Sequence, residues 1–328
     1  MPTSKTSTTK QKGKRVADRQ VQQEIQWIEI PVFIHGISPD KNPATSRKQY
    51  HQLLHRVNAK FKQFPQKKFS DEKVFVTWGV PTDPSQPNNT DEYLAEVERK
   101  IQRNVKDSMG AAAYSNPFGF PGFLRDLLFF GVSDLIYYIS NDGEQDVREH
   151  VFNYISQSIR KLDKGGENHY SLTIFGHSAG SVIAHDLLYH LFSDTEHESE
   201  KKTLYLKEMV ALRKLVDGGR LRVRRLYTFG SPISPLVLRA SSLVKKFRTG
   251  ELLKPKSIGF EKNDELGKPR WVNFWSRHDF VSYPVEFMYS NENGLIEDHE
   301  VASSINPKDA HLGYWTSDEM ADYISKTY

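Results

Sequence analysis

Apolar residues recur along the chain at two periods. Trp27 to Ile34 is a near-continuous apolar run broken only by Glu29 and Pro31, and it reads as a buried strand ending at His35-Gly36. Arg47 to Phe64 carries Tyr50, Leu53, Leu54, Val57 and Phe61 on one helical stripe, and Lys73 to Val80 reads as a second strand. Thr90-Asp91-Glu92 opens a charged helix to about Val105, and helical spacing returns from Ser133 through Leu162. Ser171 to Phe175 is a short strand, followed by a helix with Val182, Ile183, Leu187, Leu188 and Leu191. The charge-dense stretch 193–219 reads as a helical excursion. Strands are expected over Leu221 to Phe229 and Arg270 to Trp275, a helix over Leu236 to Phe247, a polar loop over Thr249 to Pro269, and a closing helix over Thr316 to Tyr323. Such alternation implies an α/β fold, a mostly parallel central sheet with helices on both faces. Ligands in such sheets bind at the carboxyl ends of the strands.

Composition narrows this picture. The 328 residues suffice for one large α/β domain or two small ones, and no internal repeat is present. A net charge of +4 is small for this length, so nucleic acid is not an expected partner. There is no cysteine, which excludes disulfides, thiolate zinc sites and a cysteine nucleophile, and fits a reducing, cytoplasmic setting. Residues 1–25 are polar and basic, without the apolar run of a secretory leader, and are expected to form a disordered tail; the alternative is a basic arm for anionic lipid or nucleic acid. No stretch has the roughly 18 continuous apolar residues of a membrane-spanning helix. Residues 26–328 are read as one domain, with insertions near 107–133 and 193–219.

The candidate chemistry centres on Gly176-His177-Ser178-Ala179-Gly180. A serine hydroxyl is a weak nucleophile that needs a neighbouring base and a rigid, exposed position. A sharp strand-to-helix turn supplies that position, and small residues two before and two after the serine let strand and helix approach closely. Here an apolar run precedes the motif and an amphipathic helix follows it, as the motif requires. Ser178 would open that helix, so the Ala179 N–H points toward a developing oxyanion. The competing reading is a glycine-flanked turn serine.

Phe33-Ile34-His35-Gly36-Ile37, followed far downstream by this elbow, resembles the lipase/esterase branch of the α/β-hydrolase superfamily. The resemblance covers the chain from about residue 26 onward. It implies an α/β-hydrolase fold with a helical lid-like insertion, and the N–H of Ile37 as second oxyanion donor. The His35 side chain is read as stabilising its loop. The family order is serine, acid, histidine. By that order the acid is Asp279, just past the strand ending at Trp275, with Asp298 and Glu297 as runners-up; the alternative role for Asp279 is an Asx turn. Among the late histidines His278, His299 and His311, the last lies in a loop before the closing helix, with an aromatic pair after it, and matches the family's base. His299 sits in an acidic run read as a solvent-facing strand, and Ser231 is read as shaping a pocket wall.

The resemblance therefore implies a serine hydrolase acting on carboxylic esters, lipid or other acyl esters, through an acyl-enzyme on Ser178, His311 and Asp279, with no metal or organic cofactor. An acyltransferase or thioesterase on the same triad, or a non-catalytic interaction protein on this scaffold, are the alternatives. The segment from Ala111 to Val132 holds Phe123, Phe129 and Phe130 among other aromatics. It is read equally as a lid or acyl pocket, as a surface for peripheral membrane contact, or as a packed helical hairpin. The sequence does not indicate an oligomeric state.

Overall fold

The computed structural model describes residues 25–36, 43–61, 69, 74–76, 103, 141–162, 168–193, 205–237, 241–261, 266–291 and 293–328. In chain order the elements are β1 (Trp27–Ile34), α1 (Pro43–Lys60), β2 (Val74–Val76), α2 (Asn141–Leu162), β3 (His169–His177), α3 (Ala179–Phe192), α4 (Tyr205–Asp217), β4 (Leu221–Phe229), α5 (Ile233–Val237), α6 (Ser241–Arg248), β5 (Trp271–Trp275), β6 (Ile296–Glu300), α7 (Pro307–Gly313) and α8 (Asp318–Thr327). The six strands form one sheet in the order β2-β1-β3-β4-β5-β6, and every neighbouring pair is parallel.

The inner strands carry long apolar runs because both faces of the sheet are covered, whereas the edge strand β6 is mostly charged. On one face Ile30, Val32 and Ile34 of β1, Leu172 and Ile174 of β3 and Leu226 of β4 join one core. Val151, Phe152, Ile155 and Ile159 of α2, Ile183, Leu187 and Leu188 of α3, and Met209 and Leu212 of α4 pack into the same core. On the other face Phe33, Phe175, Tyr227 and Phe274 meet the Tyr50, Leu53, Leu54 and Val57 stripe of α1 and Met320, Ala321 and Ile324 of α8. Those four strand aromatics stack across successive strands, with ring centroids 4.8, 5.3 and 6.3 Å apart. Alternate residues of one strand thus feed two separate cores, one on each face, as period-2 geometry dictates.

Several boundaries move. α1 starts four residues before the expected Arg47, with Pro43 at its first turn, where a missing N–H costs no helix bond. The expected Leu236–Phe247 helix is two short helices, α5 and α6. The charge-dense stretch supplies α4, which packs on α2, α3 and β4. Among the described residues no helix is long and apolar enough to cross a membrane. The basic tail as far as residue 24, Ile37, the segment carrying Phe123, Phe129 and Phe130, and residues 194–204 lie outside the described residues.

The acidic run at Glu297 to Glu300 is a strand, as read, but it does not simply face solvent. Asp298 turns inward and accepts N–H bonds from Val285 (2.9 Å), Glu286 (2.8 Å) and the Asn273 side chain (2.8 Å). Burial raises its carboxyl above the ordinary value, and those three donors oppose that rise. Asn273 also donates to the Tyr283 carbonyl (2.9 Å) and accepts from Thr228 (2.8 Å), which in turn accepts from the Trp271 indole (2.8 Å). This network fixes the chain that follows β5. Replacing Asp298 with Ala strips the acceptor from three donors at once. The expected cost is about 2–3 kcal/mol of unfolding free energy, seen as a lower urea midpoint at unchanged m. A loss below about 0.5 kcal/mol, the range of ordinary surface substitutions, contradicts the anchoring role.

Candidate active site

The site begins where β3 stops. Ser178 joins β3 to α3 with φ 52° and ψ −129°, and it is the one non-glycine residue with positive φ among the described residues. Such a conformation costs of order 1–3 kcal/mol and persists only where its surroundings impose it. They do so here. The Ser178 N–H donates to the Phe229 carbonyl of β4 (3.0 Å), and the Ser178 carbonyl accepts from the Ser181 N–H (3.0 Å) and the Ser181 hydroxyl (2.5 Å). Ser181 Oγ also lies 2.8 Å from Ser231 Oγ, just past β4. Ser231 is fully buried and acts as a structural link between the two strand ends.

The two glycines of the motif are spatially required. A Cβ on Gly176 would lie 2.7 Å from the Cα of Ser181, and one on Gly180 would lie 2.3 Å from the carbonyl oxygens of both Ile34 and His35. α3 therefore presses directly on the end of β1. Ala179, the other predicted elbow residue, opens α3 and is buried; the first-turn N–H groups of a helix have no intrahelical acceptor. Ile37, the predicted second donor, follows Gly36 and falls outside the described residues.

Asp279 and His311 meet. Asp279 sits in the turn after β5, and its Oδ2 is 3.0 Å from His311 Nδ1, both residues being buried. The Asx-turn reading of Asp279 holds as well, through the other oxygen: Oδ1 accepts from the Val281 N–H (3.1 Å). The Tyr314 hydroxyl also donates to Oδ2 (3.1 Å). Burial, and then the Asp279 charge, push the Tyr314 phenol up, so it stays protonated and donating. His311 lies in α7 rather than in a loop; Asn306 caps that helix by accepting from the Lys308 N–H, and Pro307 opens it.

Two further residues hold this group together. Gly230, past β4, has φ 60°, and a Cβ there would come within 3.1 Å of the His311 ring and 3.2 Å of Asp279 Oδ2. His177 lies beside Ser178, and its Nε2 is 3.1 Å from the His311 carbonyl oxygen. The two histidine rings are 4.8 Å apart. Burial first, and then His311, hold His177 well below the ordinary imidazole value. His35 is likewise lowered by burial, and its Nδ1 contacts the Gly36 carbonyl, the local role read for it.

The runners-up stand elsewhere. Asp298 serves backbone amides, Glu297 accepts from Tyr323, and the His299 ring rests on Tyr323 at 4.1 Å. Sequence reasoning missed Gly230, Tyr314 and the His177 contact. The signals were faint: a glycine at a strand end, one member of the noted aromatic pair, and a lone histidine inside the motif. No protein-family model matches the chain, and no curated protein matches it in sequence.

The buried histidines set a pH dependence. His35 and His177 are depressed by burial, and His185 of α3 is lowered to about 4, again by burial. Below the ordinary value of about 6.5 the unfolded chain binds protons that the fold refuses. The stability from keeping them neutral is complete above that value and is lost as pH falls; for His185 the loss continues to about 4. Urea unfolding should therefore give a lower free energy at about pH 5.5 than at about pH 7, by up to about 1.4 kcal/mol per pH unit for each histidine. An equal or higher value at the lower pH contradicts this.

Proposed function

We propose that the chain is a serine hydrolase of the lipase/esterase-like branch of the α/β-hydrolase superfamily, cleaving carboxylic esters, with lipid or other acyl esters as the substrate class. The observation that carries the reading is a strained Ser178 at a strand–helix turn together with a buried, hydrogen-bonded Asp279–His311 pair, in the chain order serine, acid, histidine.

In this reading the Asp279–Nδ1 bond places the imidazole proton on Nδ1, which makes Nε2 the atom that takes the proton from Ser178. The Ser178 oxygen then attacks the acyl carbonyl, and the tetrahedral oxyanion is held by the N–H of Ala179 and that of Ile37. Collapse expels the alcohol, protonated by His311, and leaves an acyl-enzyme. Water, deprotonated by His311, attacks that ester and releases the acid. Asp279 stays ionised and stabilises the imidazolium, while Tyr314 holds the carboxylate in place. The absence of cysteine is compatible with action in a reducing compartment such as the cytoplasm. The aromatic segment with Phe123, Phe129 and Phe130 remains a proposed lid or acyl pocket on sequence grounds.

The test is hydrolysis of p-nitrophenyl esters of increasing chain length. Ser178→Ala and His311→Ala should abolish turnover, and Asp279→Asn should lower kcat by about 10³- to 10⁴-fold. Wild-type protein inert toward every ester, or a Ser178→Ala variant as active as wild type, overturns the reading in favour of a non-catalytic scaffold.

A further inference from the structure

His177 precedes the candidate nucleophile in the chain and touches the candidate base, and the proposed chemistry does not use it. It is the last residue of β3, bonded covalently to Ser178. A carbonyl oxygen can only accept, so the 3.1 Å contact with the His311 carbonyl places a proton on Nε2 of His177. Nδ1 is then the bare nitrogen, and it faces the backbone of Gly36, where an added Cβ would sit 3.2 Å away. The ring is buried among three others. Phe229 stands 5.3 Å away, Trp315 4.9 Å and the His311 ring 4.8 Å. Such packing leaves the imidazole little rotational choice, and its burial keeps it neutral.

The His311 side needs such a tie. α7 is a helix of seven residues, too short to hold its own geometry without tertiary contacts. The His311 side chain is tied through its Nδ1 to the acid turn after β5. The His177 bond ties the main chain of the same residue to the strand that carries Ser178.

We propose that His177 is a positioning residue: its ring N–H fastens the His311 backbone to the end of β3, so that nucleophile and base ride on one rigid strut. The inference rests on the serine-hydrolase reading. The clamp acts on alignment, so its loss lowers the rate of the chemical step and leaves substrate binding alone.

The experiment compares three variants on a p-nitrophenyl ester that the wild type hydrolyses, each checked by its urea midpoint. His177→Phe keeps the ring and removes the donor. His177→Gln puts an amide N–H at the reach of Nε2, and His177→Asn puts one only at the reach of Nδ1. His177→Phe and His177→Asn should lose about 10- to 100-fold in kcat with KM nearly unchanged, and His177→Gln should recover most of that loss. If His177→Phe does not fold, the contrast between Gln and Asn still decides. Equal kcat in all three variants, a Gln variant as impaired as Asn, or a change confined to KM overturns the clamp. Wild type inert toward esters fails the underlying reading instead, a separate outcome.

Discussion

The close approach of α3 to the end of β1 is the constraint on which the site depends. At Gly180 the helix passes so near the Ile34 and His35 carbonyls that even a methyl group has no room. β3 passes into α3 with no intervening loop, and Ser178 at that turn has φ 52°. The cost of that conformation is offset by the hydrogen bonds of the Ser178 backbone, its N–H donating to the Phe229 carbonyl and its carbonyl accepting from Ser181. Strain at this one residue, imposed by neighbours that are otherwise ordinary, is the physical content of the candidate nucleophile position.

The parallel sheet then decides who can meet whom. Because β3, β4 and β5 are adjacent and run the same way, Ser178, Gly230 and Asp279 emerge in order along one edge. Ser178 and Asp279 are separated by one strand, so about 10 Å lies between their strand ends, too far for direct contact. His311 returns from beyond β6 and fills the gap above β4. A side chain at position 230 would occupy that same space, which is why the residue there is glycine with a backbone conformation that glycine tolerates. The Asp298–Asn273 network fixes the chain after β5, and with it the turn that presents Asp279.

The strands and the elbow were legible in the sequence because buried parallel strands leave continuous apolar runs, and because the glycine spacing encodes a close approach. The positions of Asp279 and His311 are implied by the family resemblance, through its residue order and the turn and loop it matches, and the fold brings those two residues together. What escaped depends on distant pairing. Asp298 sits in a run of charges that looks solvated, and donors more than ten residues earlier, the amides of Val285 and Glu286 and the Asn273 side chain, turn it inward. The His311 helix was read as a loop because its seven residues are too few for a periodic pattern. The His177 contact joins residues 134 positions apart and leaves no local trace.

In the proposed mechanism Ser178 is an activated nucleophile. The most direct measurement is reaction of the folded protein with a fluorophosphonate, followed by peptide mass mapping. One stoichiometric adduct on the peptide containing Ser178, absent when the protein is first unfolded in urea, is the predicted result. No adduct, or an adduct on another residue with Ser178 unmodified, contradicts it.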